Sequence, residues 1–299
     1  MTARVITTLA EAQSLDLAAI PARREPTAIL MCPPDYFEVK DVKNAFMEGN
    51  IGRIDKTAAR QQWDELKAAF ERLGKQVFVI EAAPDLEDMV FSANQVLPGL
   101  DSEGRPYVVL SLMRHESRRK EVAHYRKWFE SRGYRIIEFS RDDILFEGQG
   151  DTLWHPGKQL LWGGHGHRTS LEAYQDLSEM LNVPVIALHL HTQEFYHLDT
   201  CFCLLDSNSV LVYSEAFTPE GMKLIRHFFP RVIEANQRDA GMAFACNALV
   251  LDDKYVVIQR GANDTVKKLS AAGFEIVEVE TSEYIKSGGS VFCMKMMIY

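Results

Sequence analysis

Residues 108–139, VVLSLMRHESRRKEVAHYRKWFESRGYRIIEF, contain one complete strand–helix–strand unit. Val108–Met113 is a short apolar run of the kind that forms buried strands. Apolar residues then recur at three- and four-residue spacing over Arg118–Ser131, which predicts an amphipathic helix. Gly133 is a helix stop signal, and Arg135–Phe139 predicts a second strand. This unit predicts an α/β protein built from short strands and amphipathic helices.

The same pattern occurs five times along the chain. The five predicted helices are Ile54–Leu73, Arg118–Ser131, Ser170–Leu181, Pro219–Phe229 and Asp264–Ala272. The strand-like runs that follow them are Gln76–Ile80, Arg135–Phe139, Pro184–Leu190, Val232–Ala235 and Phe274–Val279. The clearest runs between these strands and the next helices are Val108–Met113, Leu160–Gly163, Ser209–Ser214 and Tyr255–Gln259. The helix starts are roughly 45 to 65 residues apart, which indicates repeated units of strand, strand, helix and strand.

These repeats predict one α/β domain of five ββαβ modules packed around a pseudo-symmetry axis. A doubly wound fold with one strand per helix would leave several strands without a place. No low-complexity linker divides the chain, so we expect a single domain over residues 27–299 and an N-terminal extension over residues 1–26. Loops from distant modules then converge at one end, and reactive residues are expected in these loops.

The composition is that of a soluble globular protein with a substantial core. The 299 residues are 46% hydrophobic and 25% charged, with a formal net charge of −9. This negative charge argues against a nucleic-acid partner, and no apolar run approaches the roughly 18 residues of a membrane span. The first residues lack the apolar stretch of an export signal, and the five cysteines lack CxxC spacing, which favours a cytoplasmic location. A small-molecule substrate is the expected partner, and the sequence admits a homo-oligomer.

The most suggestive reactive residue is Cys293, in the sequence KSGGSVFCMKMM. The two glycines let the backbone approach a ligand, and they place a thiol just past a flexible turn. A buried structural cysteine in a C-terminal strand is the alternative, because free cysteines are among the most often buried residues. A second candidate pair is His197 and Asp199 in FYHLDTCFCLL, which alternation predicts on one face of a strand, about 6.5 Å apart. A histidine beside a carboxylate can act as a general acid or base, and a histidine bound to a core carbonyl is the alternative.

Two further segments offer hydrogen-bond acceptors. Glu147 and Asp151 flank the glycines of LFEGQGDTLW, and such carboxylates suit a planar guanidinium, which presents several N–H donors in a fixed fork. Glu87, Asp88 and Asn94 bracket an apolar segment in EDMVFSANQ and could bind a donor-rich ligand. Ordinary solvated turns would also explain both segments.

Two arginines precede or begin predicted helices, and a set of histidines raises the question of a metal. Arg118 and Arg168 could each bind a carboxylate, although a solvated surface arginine is the alternative. The possible metal ligands are His165, His167, His189, His191, Cys201 and Cys203. No third and fourth ligand stands at a familiar zinc spacing, so we predict no metal. No glycine-rich nucleotide motif is present either, so we predict no cofactor.

The ordered set EDMVFSAN, FEGQGD, GHGHRTS, FYHLDT and a late Gly-Gly-x-x-x-Cys resembles the guanidine-modifying superfamily. That superfamily includes arginine deiminases, dimethylarginine hydrolases, amidinotransferases and arginine dihydrolases. The resemblance runs from Met31 to Cys293 and is closest to the arginine dihydrolase domain, through MCPPDYFEV, NAFMEGN, FSANQ, FYHLDTCFC and FACNALV. It implies a five-bladed α/β-propeller, the pentein fold. The cyclodeaminase-like domain that is often fused to this domain in cyanobacteria is not expected, because the chain ends at Tyr299.

The resemblance also implies a role for each candidate residue. Cys293 matches the nucleophile and His197 the general acid/base, while the guanidinium-binding carboxylates match Glu147, Asp151 and Asp199. A second set matches the site for the α-carboxylate of the substrate: Arg118, Arg168 and Asn44.

Two positions depart from the pattern of relatives. Deiminases have an aspartate where this sequence has Asn94, and the dihydrolase subgroup is similar to this sequence in having asparagine. We expect the neutral amide to donate to the oxygen of a ureido intermediate, whereas an ionised aspartate could only accept. Gln149 replaces a glycine that many relatives have inside the acidic loop.

The resemblance implies a cysteine-dependent hydrolase that acts on the guanidinium of L-arginine. Cys293 would attack the guanidinium carbon to give a thiouronium, with protonated His197 and the substrate charge favouring the thiolate. A dihydrolase would then release ornithine, carbon dioxide and two ammonia. Alternatives within the superfamily are a deiminase, a dimethylarginine hydrolase or an amidinotransferase. An alternative from another class is a non-catalytic protein that binds arginine.

Overall fold

The computed structural model describes residues 3–299, and these form five separate mixed sheets joined by helices. The α-helices are Leu9–Ala12, Lys56–Arg72, Glu116–Glu130, Gly148–Asp151, Leu171–Leu181, Pro219–Phe228, Gln237–Met242, Asn263–Ala271 and Ser282–Ile285. Short 3₁₀ helices span Leu17–Ala19, Ala45–Met47, Glu87–Val90, Leu198–Thr200 and Ser214–Ala216. No helix in this part of the chain is long and apolar enough to cross a membrane.

Each sheet contains an antiparallel pair followed by a parallel pair, and a long helix connects the two parallel strands. Four of the sheets are formed by strands that follow one another in sequence. These are Val96–Leu100, Pro106–Leu110 and Arg135–Ile137; Thr152–Trp154, Leu161–His165 and Pro184–His189; Phe202–Leu204, Ser209–Val212 and Arg231–Glu234; and Leu249–Leu251, Tyr255–Gln259 and Glu275–Val279. The predicted repeat of strand, strand, helix and strand is therefore confirmed.

The fifth sheet joins a strand near the beginning of the described chain to the strand at its end. Ala28–Met31 pairs in parallel with Gln76–Val79 and antiparallel with the C-terminal strand Met296–Ile298. This pairing fixes the turn that carries Cys293. Near the N-terminus, Arg4–Ile6 adds a fourth strand to the sheet that contains Pro184–His189. The division between an extension and a domain at residue 27 stays a prediction.

The five predicted helices are confirmed within two residues at each end. Their stop signals act as expected, since Gly133 and Asn182 follow two helices with φ values of 76° and 52°. The apolar stripes pack inward: the helix Lys56–Arg72 buries Trp63, Leu66 and other side chains of the core that also contains Cys293.

The strand predicted for His197 and Asp199 is wrong, because this segment forms a 3₁₀ turn. The backbone N–H and the hydroxyl of Thr200 both donate to the carbonyl of His197, at 3.2 and 2.6 Å. Such local bonds from a threonine compete with strand pairing, and the strand starts only at Phe202. The two side chains are therefore not held on one face of a strand.

Candidate active site

Loops from different modules bring the predicted reactive residues together. Cys293 lies in the turn before the C-terminal strand, and Glu147 immediately precedes a four-residue helical turn. His197 immediately precedes the 3₁₀ helix Leu198–Thr200, and Asp199 lies within that helix. All four side chains are buried. Cys293 is as buried as the structural alternative requires, but it lies in a turn rather than in a strand.

Cys293 and His197 line the same narrow cavity, whose volume is about 20 Å³. Its walls also contain Asn44, Asn94, Arg118, Arg168, Asp88 and Lys43. Glu147, Asp151 and Asp199 lie behind this wall. The volume is that of about one water molecule, so a ligand the size of an amino acid must widen the cavity on entry.

The thiol of Cys293 is held by two polar neighbours. It donates to Oδ2 of Asp199 across 3.1 Å, and Nδ2 of Asn247 donates to the sulfur across 3.1 Å. Oδ1 of Asn247 also accepts from the backbone N–H of Cys293 at 3.2 Å, so one amide fixes both the turn and the thiol. Burial and the neighbouring Asp199 raise the pKa of Cys293 well above its ordinary value. The thiol form therefore predominates near neutral pH in the absence of a compensating positive charge.

His197 is paired with Glu147 rather than with the thiol. Its Nε2 lies 2.6 Å from Oε2 of Glu147, and Nη1 of Arg168 lies 3.3 Å from the same oxygen. Burial raises the pKa of Glu147, but the charge of Arg168 and the bond to His197 outweigh it, and the pKa is lowered. Burial lowers the pKa of His197 to about 4 although Glu147 opposes this. Burial therefore favours the neutral ring near pH 7 in the protein without substrate.

Asn94 is oriented by Arg118. Nη1 of Arg118 donates to Oδ1 of Asn94 at 3.1 Å, and this bond assigns the oxygen and nitrogen of the amide. Nδ2 of Asn94 is buried and has no hydrogen-bond acceptor within residues 3–299. The remaining N–H groups of Arg118 bind Glu121 and the carbonyls of residues 88 and 91. Asn94 thus offers one unsatisfied donor at the cavity.

The other predicted binding residues occupy distinct places. Arg168 is buried over the ring of Tyr196, with its guanidinium carbon 4.7 Å from the ring centroid. Asn44 is half-buried and donates to the carbonyl of Ser287 at 3.0 Å. Asp151 accepts from the hydroxyl of Thr169 at 2.7 Å, and burial raises its pKa well above the ordinary value. The solvated-surface alternative is wrong for both Arg118 and Arg168, since each is 5% exposed.

Asp88, three residues before the FSAN segment, contributes more to the wall of the cavity than the sequence indicated. It is buried on the cavity wall, and Nζ of Lys43 lies 3.1 Å from its Oδ2. The alternative of a solvated turn is wrong for Glu87 as well, which Lys43 contacts at 3.0 Å.

Sequence reasoning missed Lys43, Tyr196, Asn247 and Lys295. Asn247 lies inside FACNALV, where a lone amide among apolar residues was the available signal. Lys295 stands between two methionines of the apolar C-terminal segment, which is a comparable signal. Within the described part of the chain, no group of three or more His, Cys, Asp or Glu residues could hold a metal ion.

Comparisons with known proteins agree on one family. The family described as N,N-dimethylarginine dimethylhydrolase, eukaryotic, matches residues 33–299. The bifunctional arginine dihydrolase/ornithine cyclodeaminase ArgZ of Synechocystis sp. is 35% identical over 273 residues, which are 90% of this chain and 37% of that protein. The N(G),N(G)-dimethylarginine dimethylaminohydrolase of Mycobacterium tuberculosis is 35% identical over 281 residues, which are 93% of this chain and 89% of that protein. This chain thus spans little more than a third of the bifunctional cyanobacterial enzyme.

Solved structures give the same result. The crystal structure of the N-terminal domain of ArgZ bound to product, an arginine dihydrolase from cyanobacteria, superposes with a TM-score of 0.85 and 34% identity. The match covers 91% of this chain and 97% of that domain. The chain therefore belongs to the N,N-dimethylarginine dimethylhydrolase family.

Proposed function

We propose that this protein is an arginine dihydrolase, which converts L-arginine and two water molecules into ornithine, carbon dioxide and two ammonia. The observation that carries the proposal is the convergence on one cavity of the Cys293 thiol, the His197 ring and the unsatisfied amide N–H of Asn94. A guanidinium carbon is a poor electrophile, so a sulfur nucleophile is needed to attack it. The 35% identity to ArgZ over most of this chain supports the same reaction.

In the first half of the reaction, the sulfur of Cys293 bonds to the guanidinium carbon. The thiol proton passes to His197, which returns it to the amino group that leaves as ammonia, so that a thiouronium remains on Cys293. Glu147 lies 2.6 Å from the ring and stabilises the imidazolium while it exists. A ring that burial keeps neutral can therefore still carry a proton during the reaction.

In the second half, a water molecule gives a proton to His197 and attacks the thiouronium carbon. The carbon–sulfur bond breaks, the thiol is restored, and the product is citrulline. A second attack on the ureido carbon expels the second ammonia and leaves a thiocarbamate on Cys293. Its hydrolysis gives a carbamate, which breaks down to ornithine and carbon dioxide.

Asn94 decides whether this second round takes place. Because Arg118 occupies its oxygen, only the N–H of Asn94 is left to face the substrate, and this donor can bind the ureido oxygen. We propose that Arg118 acts mainly through Asn94, because its Nε and Nη2 groups are already bound to Glu121 and to backbone carbonyls. The substrate α-carboxylate is then left to Arg168 and Asn44.

Carboxylates on two sides can receive the guanidinium. Asp88 is on the cavity wall, and Oδ1 of Asp199 is buried with no partner in the described chain. An unpaired buried acceptor is costly, and a guanidinium N–H would satisfy it. Glu147 and Asp151, by contrast, are already bound to Arg168, His197 and Thr169 and support the site from behind.

Product analysis with arginine, citrulline and methylated arginines tests the proposal. Wild-type protein is expected to give ornithine and two ammonia per arginine, and Cys293→Ser is expected to lose activity by at least about a thousandfold. Asn94→Asp is expected to stop at citrulline, because an ionised carboxylate cannot donate to the ureido oxygen.

Asn208→Asp is the matched control, since Asn208 lies in an exposed turn and should leave the products unchanged. Citrulline as the end product of the wild type would exclude a dihydrolase and leave a deiminase. Arginine binding without turnover, together with a thiol that does not react with alkylating reagents, would favour a non-catalytic binding protein.

A dimethylarginine hydrolase is the second candidate, because the family match and the Mycobacterium tuberculosis relative point to it. Release of dimethylamine from dimethylarginine, faster than ammonia from arginine, would establish it. An amidinotransferase would release neither dimethylamine nor ammonia by hydrolysis. It would instead transfer the amidino group to an added amine.

We further propose that the five sheets form the blades of a five-bladed propeller in a single catalytic domain over residues 27–299. The repeated sheet topology and the pairing of Met296–Ile298 with Ala28–Met31, which closes the series of sheets, support this arrangement. A cytoplasmic location is proposed on the cysteine pattern alone.

A further inference from the structure

Arg118 connects Asn94, on the wall of the cavity, to Glu121, which does not line the cavity. Nη1 of Arg118 donates to Oδ1 of Asn94 at 3.1 Å. Nε and Nη2 donate to the carboxylate of Glu121, over distances of 3.3 and 3.2 Å. Arg118 is 5% exposed and Glu121 is 1% exposed. A buried guanidinium that is bound along one edge by a carboxylate cannot turn without losing that carboxylate, which would be costly.

Glu121 is itself held in place. It lies three residues after Arg118 in the helix Glu116–Glu130, so the two side chains share one face of that helix. Nε2 of Gln95 donates to Oε2 of Glu121 at 2.7 Å and to the carbonyl of Phe91 at 3.1 Å. Burial raises the pKa of Glu121 to about 7, and Arg118 opposes this shift. At pH 8 the ionised carboxylate therefore predominates and offers Arg118 a fixed acceptor.

The orientation of Asn94 matters because the two ends of its amide have opposite hydrogen-bonding character. A guanidinium presents only N–H donors, whereas a ureido group also presents an oxygen that accepts. Half a turn of the amide would exchange Nδ2 for Oδ1 with little change in shape, and Oδ1 would repel the ureido oxygen. The bond from Arg118 prevents this turn, because a guanidinium has no acceptor and can bind only Oδ1.

We propose that Glu121 is a positioning residue that acts through Arg118. By fixing the guanidinium, it keeps the N–H of Asn94 toward the substrate and so favours the second hydrolysis over the release of citrulline. No bond to Glu121 forms or breaks in either round. The inference rests on the proposed function, in which Asn94 donates to the ureido oxygen.

Loss of Glu121 should affect the two rounds of the reaction unequally. The first round acts on a guanidinium, which needs no donor from Asn94. The second round acts on a ureido group, whose oxygen does need that donor. A purely structural role of Glu121 would slow both rounds alike and would leave the ratio of products unchanged.

The ratio of citrulline to ornithine formed from arginine at pH 8 tests the inference. Glu121→Gln keeps the shape of the side chain and removes its charge, which weakens its hold on Arg118. We expect the ratio to rise at least about tenfold over wild type, as for the loss of one hydrogen bond in the second round. The rate at which arginine is consumed should fall by a smaller factor. Glu121→Asp keeps the charge on a shorter side chain, so it should fold even if Glu121→Gln does not, and should raise the ratio less.

Tyr125→Phe is the matched control. Tyr125 lies on the same helix, and its buried hydroxyl forms hydrogen bonds to the carbonyl of Met89 at 3.0 Å and to the hydroxyl of Ser92 at 2.8 Å. The change therefore also removes a buried polar contact of this helix, but not one that involves Arg118 or Asn94. The ratio of products should stay at the wild-type value. A wild-type ratio in both Glu121 variants would overturn the inference, as would an equal rise in Tyr125→Phe.

NMR of protein labelled with ¹⁵N-asparagine reports the amide of Asn94 without any turnover. The Nδ2 signal of Asn94 is assigned by its loss in Asn94→Asp. It should shift in both Glu121 variants and stay in place in Tyr125→Phe, and an unchanged signal in the Glu121 variants would overturn the inference. A wild-type protein that forms no ornithine would refute the proposed function, and the amide signal would then decide whether Glu121 orients Asn94.

Discussion

Two buried carboxylates of the site, Glu147 and Asp199, respond to burial in opposite ways. Both side chains are almost fully buried, yet the pKa of Glu147 is lowered and that of Asp199 is raised to about 7. Glu147 touches Arg168 and His197, whereas Asp199 touches a thiol and an amide. Direct contact with a cation, rather than depth of burial, therefore decides which carboxylate stays ionised. Glu147 can stabilise positive charge, and Asp199 can exchange a proton.

The largest effect is expected from Glu147→Gln, which removes the ionised carboxylate and with it the difference between Glu147 and Asp199. The change leaves the charge of Arg168 buried without its carboxylate, and we expect a loss of about 3–5 kcal/mol in unfolding free energy. Activity should fall at least about a hundredfold, because the imidazolium of His197 loses its stabilising charge. Chemical denaturation and ammonia release measure the two effects.

Glu130→Gln is the control for this change. Glu130 pairs with Arg126 at the surface, where the two side chains are 47% and 42% exposed, so its loss should cost no more than about 1 kcal/mol. Equal losses of stability in the two variants would mean that burial of the Glu147–Arg168 pair does not increase its contribution to the unfolding free energy.

A smaller and opposite effect is expected from Asp199→Asn. The folded-state pKa of Asp199 is above its unfolded value of about 3.9, so its contribution to stability is complete below pH 4 and is lost as the pH rises toward 7. The variant should remove this contribution, so its unfolding free energy should increase relative to that of the wild type as the pH rises from about 4 to 7. Denaturant titrations at several pH values measure it.

Lys295 and Glu147 change the unfolding free energy in pH ranges that lie outside the window of Asp199. Lys295, with its pKa lowered to about 7, contributes stability that is lost as the pH falls from above 10 toward 7, outside the window of Asp199. Glu147, with a lowered pKa, loses its contribution only as the pH falls below about 4. A slope between pH 4 and 7 that is the same in wild type and Asp199→Asn would contradict the raised pKa.

The smallest effect is expected from Thr169→Val, which sharpens the comparison with a third carboxylate. The hydroxyl of Thr169 accepts from the backbone N–H of Glu147 at 3.1 Å and donates to Asp151 at 2.7 Å. Losing both bonds should cost about 1–3 kcal/mol in unfolding free energy. Thr152→Val removes only one long contact, at 3.5 Å to the hydroxyl of Tyr174, and should cost less. A larger loss for Thr152→Val would refute this role of Thr169.

The repeated modules could be predicted from sequence because helix periodicity and stop signals are local. The helix predicted at Pro219–Phe229 lies at Pro219–Phe228, and the strand predicted at Tyr255–Gln259 is found with the same limits. Short strands such as Val96–Leu100 were not singled out, because its Pro98 and Gly99 are unfavourable in strands. It forms through antiparallel pairing with the next strand, Pro106–Leu110.

The members of the site could be proposed from sequence through resemblance, but their contacts could not. No local pattern shows that His197 binds Glu147, or that Cys293 binds Asp199, because both contacts join loops of different modules. The charge states depend on these contacts, so the protonation of His197 beside a bound guanidinium stays a prediction.

The pairing of Met296–Ile298 with Ala28–Met31 has a consequence for biosynthesis. Translation delivers Ala28–Met31 long before the partner strand, so four sheets can assemble on the ribosome while the first remains incomplete. The nucleophile is among the last described residues to emerge, and its turn is fixed only when that final pairing occurs. Nascent chains should therefore remain chemically inert toward substrate until Met296–Ile298 has emerged and paired.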